Sequence, residues 1–572
     1  MNRGLVKLFE NSIKQNWDQK ALTDFNGETL QYKDVARKIE KLHILMENAG
    51  IQRGDKVALC GRNCSNWCVT FLATISYGAV IVPILHEFKP DNIHNIVNHS
   101  EARLLFTGDY VWENLNEEEM PHLEGVICIN DFSLLTSRSD KLIFAREHLN
   151  ELFGQKFPNC FIPEMIQYQE EDTPEQLVII NYTSGTTGFS KGVMLPCRSI
   201  LSNIKFCHDT IGIKAGDNIV SMLPLGHVFG LVFDFLYGIS AGAHLFFLTR
   251  MPSPKIIKTT VAAIRPRLIC CVPLVIEKLF KQEILPQVDN KLGKLLLKLP
   301  ILSDLVKERA RNESLRLFGD NVSEVIIGGA PFNSEVESFI RKIKFPYSIA
   351  YGMTECGPII CHSPWKDTAY TSCGKVADRM EAKVLSSDPH SIPGELICKG
   401  ENLMLGYYKN EEATKSIIDS DGWLHTGDMA IISPKGDVFI KGRCKNMLLS
   451  TNGQNIYPEE IESKLNNMPY INESLVIMSH GKLIALIYPD LNAALANGYN
   501  ERQLMSILDK SRTDLNKELP AYAQITKIVF RNEEFEKTAK KASNVIFIKN
   551  KISSNNTAVL QLHYLQSQQE LI

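Results

Sequence analysis

"YTSGTTGFSKGV", residues 182–193, gathers three glycines, five serine or threonine hydroxyls and one lysine, Lys191, in a stretch that suits neither a helix nor an ordinary strand. Glycine lets the backbone pass through positive φ and approach a ligand closely, while exposed N–H groups, hydroxyls and an ammonium favour an anion. The chemistry this points to is phosphate binding. The segment is not the common P-loop, whose second glycine stands directly before the lysine and whose next residue is a hydroxyl. Here Phe189 and Ser190 separate Gly188 from Lys191, and Gly192 follows. A Ser/Thr/Gly-rich surface linker is the competing account of such composition. The flanks oppose it: the apolar run Leu177–Ile180 precedes the loop and "GVML" follows, as strands around a ligand-binding turn would.

Further turns carry residues with chemical potential. "VIIGGAPF", Val325–Phe332, ends a buried strand in Gly328 and Gly329, where a flat ring can lie against backbone; alone, it is better explained as a plain strand-to-helix turn. "YGMTECG", Tyr351–Gly357, offers a ring for a base, the Thr354 hydroxyl for a phosphate and the Glu355 carboxylate for magnesium. A polar loop with a cap at Thr354 stands level with that reading. "DGWLHTGDMA", Asp421–Ala430, places Asp428 after a glycine in a turn that can expose its carboxylate to both hydroxyls of a ribose, although aspartate is also a common turn former. "GRCKNMLLSTNGQNIYPEEIE", Gly442–Glu462, presents Arg443 to ribose or phosphate and closes on a proline-started helix with acids in its first turn. In isolation it passes for a surface turn before a helix. His227, in "PLGHVFG", is by residue type alone best taken as a satisfied core histidine.

The elements that must position these turns follow an α/β pattern. Short β-branched runs such as "KVALC", "SEVIIGG" and "GELICKG" alternate with helical periods such as Tyr32–Asn48 and Ser334–Lys344. Residues 275–320 keep a helical period apart from Pro286 and Pro300 and are expected to form an added helical subdomain. At 572 residues the chain is too long for one core. A net charge of −3 and a pI near 6.6, with Lys and Arg scattered, leave no footprint for nucleic acid. Fourteen irregularly spaced cysteines, without a C-x-x-C pair, suggest reduced thiols in a cytosolic protein and no zinc site. The apolar stretches Val69–Leu85 and Gly230–Leu248 fail as membrane spans, the first broken by Gly78 and Pro83, the second carrying Asp234 and His244. "NRGLVKLFENSIKQN" is an amphipathic helix expected to pack on the domain.

Taken in order and spacing, "YTSGTTGFSKGV", "PLGHVFG", "IIGGAP", "YGMTE", "GELICKGENLMLGYY", "GWLHTGD" and "GRCKNMLLSTNGQNIYPEEIE" resemble the adenylate-forming enzymes, most of all the long-chain fatty acid–CoA ligases, over nearly the whole chain. The resemblance implies a large multi-subdomain N-terminal α/β domain, residues 1–443, with a helical insertion at about 275–320. A small, mobile α+β C-terminal lid, residues 444–550, and a tail, 551–572, would follow. It also implies an ATP-dependent, AMP-forming activation of a fatty acid and its transfer to coenzyme A, with Mg2+ as the metal.

By the same resemblance Thr183, Ser184, Gly185, Thr186, Thr187, Gly188 and Lys191 cradle phosphates, and Thr183 and Glu355 hold magnesium. Gly328, Gly329, Ala330, Tyr351, Gly352 and Met353 line the adenine, Thr354 meets the α-phosphate, and Asp428 and Arg443 take the ribose. His227 stands beside the carboxylate, Lys445 is the hinge, and Gly453 lies on the path of coenzyme A. Two departures stand out. Ser190 replaces the usual proline, and the expected glycine–lysine turn reads "FEKTAKKASNVIF", so the adenylation lysine is Lys540 or, one residue on, Lys541, while a strict ungapped register would put Ala542 there. Rival functions are loading of a carrier protein with an acyl or aminoacyl group and a low-turnover acyl-adenylate or nucleotide binder. A carrier domain is not expected to follow, and the retained Lys191, Glu355, Asp428 and Arg443 oppose a pure binder. Oligomeric state and acyl length are not legible, and a peripheral membrane contact stays open.

Overall fold

The computed structural model describes residues 4–168, 173–183, 190–248, 254–288, 300–450, 454–479 and 481–535. They fall into two compact units. One runs from the N-terminus to Ile440 and leaves out Gly427–Ala430; the other takes Gly427–Ala430 and the chain from Lys441 onward.

Two large sheets build the first unit. Among the described residues the nine-stranded sheet contains six successive parallel neighbours: Lys20–Asp24, His244–Phe247, Asn218–Ser221, Leu268–Cys271, Glu324–Gly328 and Tyr347–Gly352. Parallel strands covered on both faces read as continuous apolar runs, and "LICC" and "EVIIG" are buried at every position. The helix Ser334–Lys342 makes the crossover between the last two, started by Asn333, whose side chain accepts from the N–H groups of Glu335 and Val336. The eight-stranded sheet runs Gly406–Tyr407, Lys191–Pro196, Leu177–Thr183, Val80–Ile84, Lys56–Cys60, Ala102–Thr107, Gly125–Cys128 and Leu134–Ser137.

The stretch expected to form an added helical subdomain behaves differently. Pro273–Leu279, the π-helical turn Phe280–Ile284 and Pro300–Leu317 supply Ile276, Leu279, Phe280, Ala310 and Leu317 to one core with Val325 and Ile327 of the sheet. These helices are a layer on the nine-stranded sheet, because their apolar positions face a strand run too hydrophobic to leave bare. The N-terminal helix Leu5–Gln15 buries Leu5, Val6, Phe9 and Ile13, as its period requires. Gly78, at φ +86, ends the helix Ser65–Tyr77 and turns the chain into the strand Val80–Ile84. No helix among the described residues is long and apolar enough to cross a membrane. The cysteines are free thiols.

The second unit has its own core. Ile471–Ser479 pairs antiparallel with Lys482–Pro489, which pairs parallel with Ile525–Phe530. The helices Pro458–Leu465 and Glu501–Asn516 bury Ile461, Leu465, Leu504 and Leu508 against that sheet.

Candidate functional site

The glycine-rich loop grows from a β-hairpin. Leu177–Thr183 and Lys191–Pro196 are antiparallel, with Thr183 opposite Lys191, so the last hydroxyl before the loop and the lysine after it stand side by side. Ser184, Gly185, Thr186, Thr187 and Gly188 lie outside the described residues. On its other edge Lys191–Pro196 pairs with Gly406–Tyr407, Tyr407 opposite Val193. That pairing carries Tyr407 to the lysine: Lys191 Nζ stands 4.8 Å from the centre of the Tyr407 ring.

The buried Tyr407 hydroxyl donates to Glu355 Oε1 at 2.8 Å. Burial first, and then the adjacent Glu355 charge, push the phenol's pKa up, so the ring keeps its proton and acts as a donor. Glu355 is itself buried, in the 3₁₀ turn Thr354–Cys356 that follows the strand Tyr347–Gly352. Its carbonyl accepts from Met404 N at 2.9 Å. The Asn203 side chain fixes the same turn, donating to the Cys356 carbonyl at 3.1 Å and accepting from Ile359 N at 2.9 Å. Thr354 is buried, and the cap position of the turn is Met353, with no side-chain cap bond, so the capping account of Thr354 is set aside.

Two more motifs converge there. Asn181, on the hairpin strand, donates to the Gly226 carbonyl at 2.9 Å and ties down "PLGHVFG". A Cβ on Gly328 would meet the Phe229 ring at 3.0 Å and the Ala350 carbonyl at 3.1 Å, so this loop and the strand end press closely together at a glycine. Gly329 takes φ +87, and both it and Ala330 are exposed. His227 is half-buried, and its Nδ1 accepts from Phe229 N at 3.3 Å. Tyr351 is half-buried, while Gly352 sits so close to Pro358 that a Cβ would lie 1.9 Å from its carbonyl oxygen. Gly352→Ala is therefore expected to lower stability by about 1–3 kcal/mol and to disturb the Glu355 turn; chemical denaturation measures the loss, and an unchanged midpoint would contradict the close approach.

Asp428 corrects an expectation. It lies in the strand Leu424–Ile432 instead of an exposing turn, and it is buried. Its Oδ1 pairs with Arg443 Nε at 3.0 Å, Arg443 ending the strand Val438–Arg443 with its side chain 66% exposed. The structure brings the two together within the second unit, where Gly427 takes φ +70. Lys445 is exposed in the turn after Arg443. Gly453, Lys540 and Lys541 lie outside the described residues.

Sequence reasoning missed two residues. Tyr407 stood inside a quoted motif without a role, since nothing in "LGYY" separates a surface ring from one aimed at a carboxylate. Asp234 had served only to exclude a membrane span. It is fully buried in the π-helical segment Gly230–Leu236, directly after the His227 loop. Burial raises its pKa to about 8, only partly offset by the Cys270 thiol, the Ser221 hydroxyl and the N–H groups of Leu223 and Met222. The folded state thus binds a proton that the unfolded state releases near its ordinary pKa of 3.8. Stability from this group is full below that value and falls as pH climbs towards about 8, with a slope of up to ~1.4 kcal/mol per pH unit. Asp234→Asn removes the linkage, so its melting temperature relative to the native protein is expected to rise between pH 5 and pH 8; a constant difference would mean the acid is ionised throughout.

Among the described residues no three His, Cys, Asp or Glu side chains gather into a metal-binding group. Glu355 and Thr183 offer hard oxygen donors, the set that suits Mg2+ held by one or two protein oxygens while phosphates and water complete its shell. The donors present fit that ion.

A family model for the AMP-binding enzymes matches residues 9–408, and one for the AMP-binding enzyme C-terminal domain matches residues 445–565. The chain belongs to the AMP-binding enzyme family. A long-chain-fatty-acid–CoA ligase of Rattus norvegicus is 26% identical over 496 residues, covering 80% of this chain, which spans 66% of that relative's length. One of Escherichia coli is 27% identical over 496 residues, 82% of each chain. The solved anthranilate CoA ligase AuaEII, in complex with anthranoyl-AMP, shares the AMP-binding enzyme fold with a TM-score of 0.75 at 18% identity, over 96% of both chains.

Proposed function

We propose that the chain is an ATP-dependent long-chain fatty acid–CoA ligase. The observation that carries the reading is the convergence of Lys191, Tyr407 and Glu355 at the base of the glycine-rich hairpin, in a chain of the AMP-binding enzyme family. One ammonium and one buried, oriented carboxylate beside a loop of N–H groups and hydroxyls are what a polyphosphate with a divalent cation requires. In the first step a fatty carboxylate oxygen bonds to the α-phosphorus of ATP and the bond to pyrophosphate breaks. In the second the coenzyme A sulfur bonds to the acyl carbon and AMP leaves.

Charge management dominates the first step. Lys191 balances the leaving pyrophosphate, Thr354 donates to the α-phosphate, and Tyr407 holds Glu355 in place. Magnesium, when bound by Glu355 and Thr183, supplies charge neutralisation at the phosphates. Gly328, Gly329, Ala330 and Tyr351 form the adenine wall, Asp428 and Arg443 receive the ribose, and His227 stands at the acid. The chain would divide near residue 443 into an N-terminal domain and a lid that turns about Lys445 between the two steps.

The test is a panel of acids from two to eighteen carbons with ATP and Mg2+, scored for AMP release with and without coenzyme A. The reading expects release only with twelve carbons or more and only when coenzyme A is present. Stimulation by a holo carrier protein in place of coenzyme A would transfer the reading to carrier loading, and a preference for an aromatic acid would remove the fatty acid.

A further inference from the structure

A cleft of about 620 Å³ opens far from the hairpin and is rich in cations. Arg37 and Lys38 stand four and three residues before Lys41 on the helix Tyr32–Asn48, and Arg146 comes from the helix Asp140–Glu147. Three of the four hold neutral oxygens: Lys38 Nζ donates to Asn66 Oδ1 at 3.2 Å, Lys41 Nζ to Asn150 Oδ1 at 2.6 Å, and Arg146 Nε to the Phe132 carbonyl at 2.5 Å. Arg37 pairs with Asp34 at 3.2 Å.

Three carboxylates also border the cleft. Asp34 is committed to Arg37 and to Gln31 N, and Asp131 accepts from the Ser133 N–H and hydroxyl at 2.9 and 2.6 Å. Glu28 is exposed at the rim. The excess cations repel one another: burial first, then Arg37, Lys38 and Arg146, lower the pKa of Lys41. Leu42, Phe132 and Leu149 give the cleft apolar walls, and its size is that of a small-molecule pocket.

The two sites are separate. From the strand Lys191–Pro196 to Gly125–Cys128, whose following turn carries Phe132, the eight-stranded sheet takes five interstrand steps, about 24 Å at ~4.8 Å each. A guanidinium fork and two ammonium groups match a phosphate's oxygens, and the apolar walls match a carbon skeleton attached to it.

We propose that this cleft is a second ligand site, for a phosphomonoester that carries an apolar portion. The ligand is either soluble or the headgroup of a phosphatidic-acid-containing membrane, and the shared chemistry is a dianionic phosphate next to hydrocarbon.

Amide hydrogen exchange on the full chain tests the site with four probes: inorganic phosphate, dodecyl phosphate, phosphatidylcholine vesicles, and the same vesicles with phosphatidic acid. Dodecyl phosphate is expected to protect Tyr32–Asn48 and Asp140–Glu147, more strongly than inorganic phosphate and less at high salt. Each of Lys41→Gln and Arg146→Gln should weaken that protection at least about tenfold, the loss of one charge-assisted hydrogen bond. Neither should lower AMP release, and Lys41→Gln should not lower the melting temperature, since it removes a repelled charge. Protection by phosphatidic-acid vesicles but not by phosphatidylcholine alone assigns the membrane source; protection by the soluble probes only assigns the soluble one. Absence of protection in these two helices with every probe, or protection in both variants as strong as in the native chain, overturns the site.

Discussion

Glu355→Gln is expected to lower adenylation by about 10²–10³-fold while the protein keeps its melting temperature. The substitution leaves volume unchanged and retains an amide oxygen that can still accept from Tyr407 at the 2.8 Å contact, so the buried phenol stays satisfied. What disappears is the negative charge, the one property a divalent cation needs from this side chain. Tyr407→Phe separates orientation from charge. It leaves the carboxylate but removes the donor that aims it, and a smaller loss, about tenfold, is expected from a group acting through another. Pyrophosphate exchange with saturating fatty acid measures both, and titration with Mg2+ distinguishes them: only Glu355→Gln should raise the metal requirement sharply. Wild-type exchange in Glu355→Gln would reduce the buried pair to a fold contact.

Local chemistry was legible in the sequence wherever a residue type has few uses. Glycine–glycine at the end of "VIIGG" reads as a place of close approach, and a Cβ on Gly328 would come within 3.0 Å of the Phe229 ring, although the ring expected there was a ligand's. The proline and acids of "YPEEIE" start the helix Pro458–Leu465 as their positions dictate. Partners far apart in the chain were not legible. Asp428 reads as a turn former because its neighbour is glycine, yet strand pairing carries it to Arg443, fifteen residues on, and buries it. Tyr407 meets Glu355 only because a two-residue strand adds to the edge of the hairpin, a pairing set by register and not by composition. The same blindness affected the helices before Glu324: their period was visible, but only the buried sheet face decides whether such helices stand apart or form a layer.

The second large effect concerns "FEKTAKKASNVIF", of which residues 536–547 lie outside the described residues and whose lysine turn departs from the family pattern. Lys540→Ala is expected to abolish formation of acyl-adenylate from ATP and fatty acid, yet to leave conversion of supplied acyl-adenylate and coenzyme A into thioester near the native rate. The asymmetry follows from where charge develops. Negative charge gathers on the pentavalent phosphorus in the first step alone, so an ammonium aimed at it stabilises that transition state and not the next. A lid turning about Lys445 would withdraw the lysine before the thiol attacks, which makes its loss silent in the second half-reaction. Lys541→Ala should be mild in both assays, as a solvated neighbour would be. Reversed behaviour of the two variants would shift the register by one residue. If adenylation survives in both, the turn is vestigial, and Lys191, Thr354 and the metal must carry activation without it.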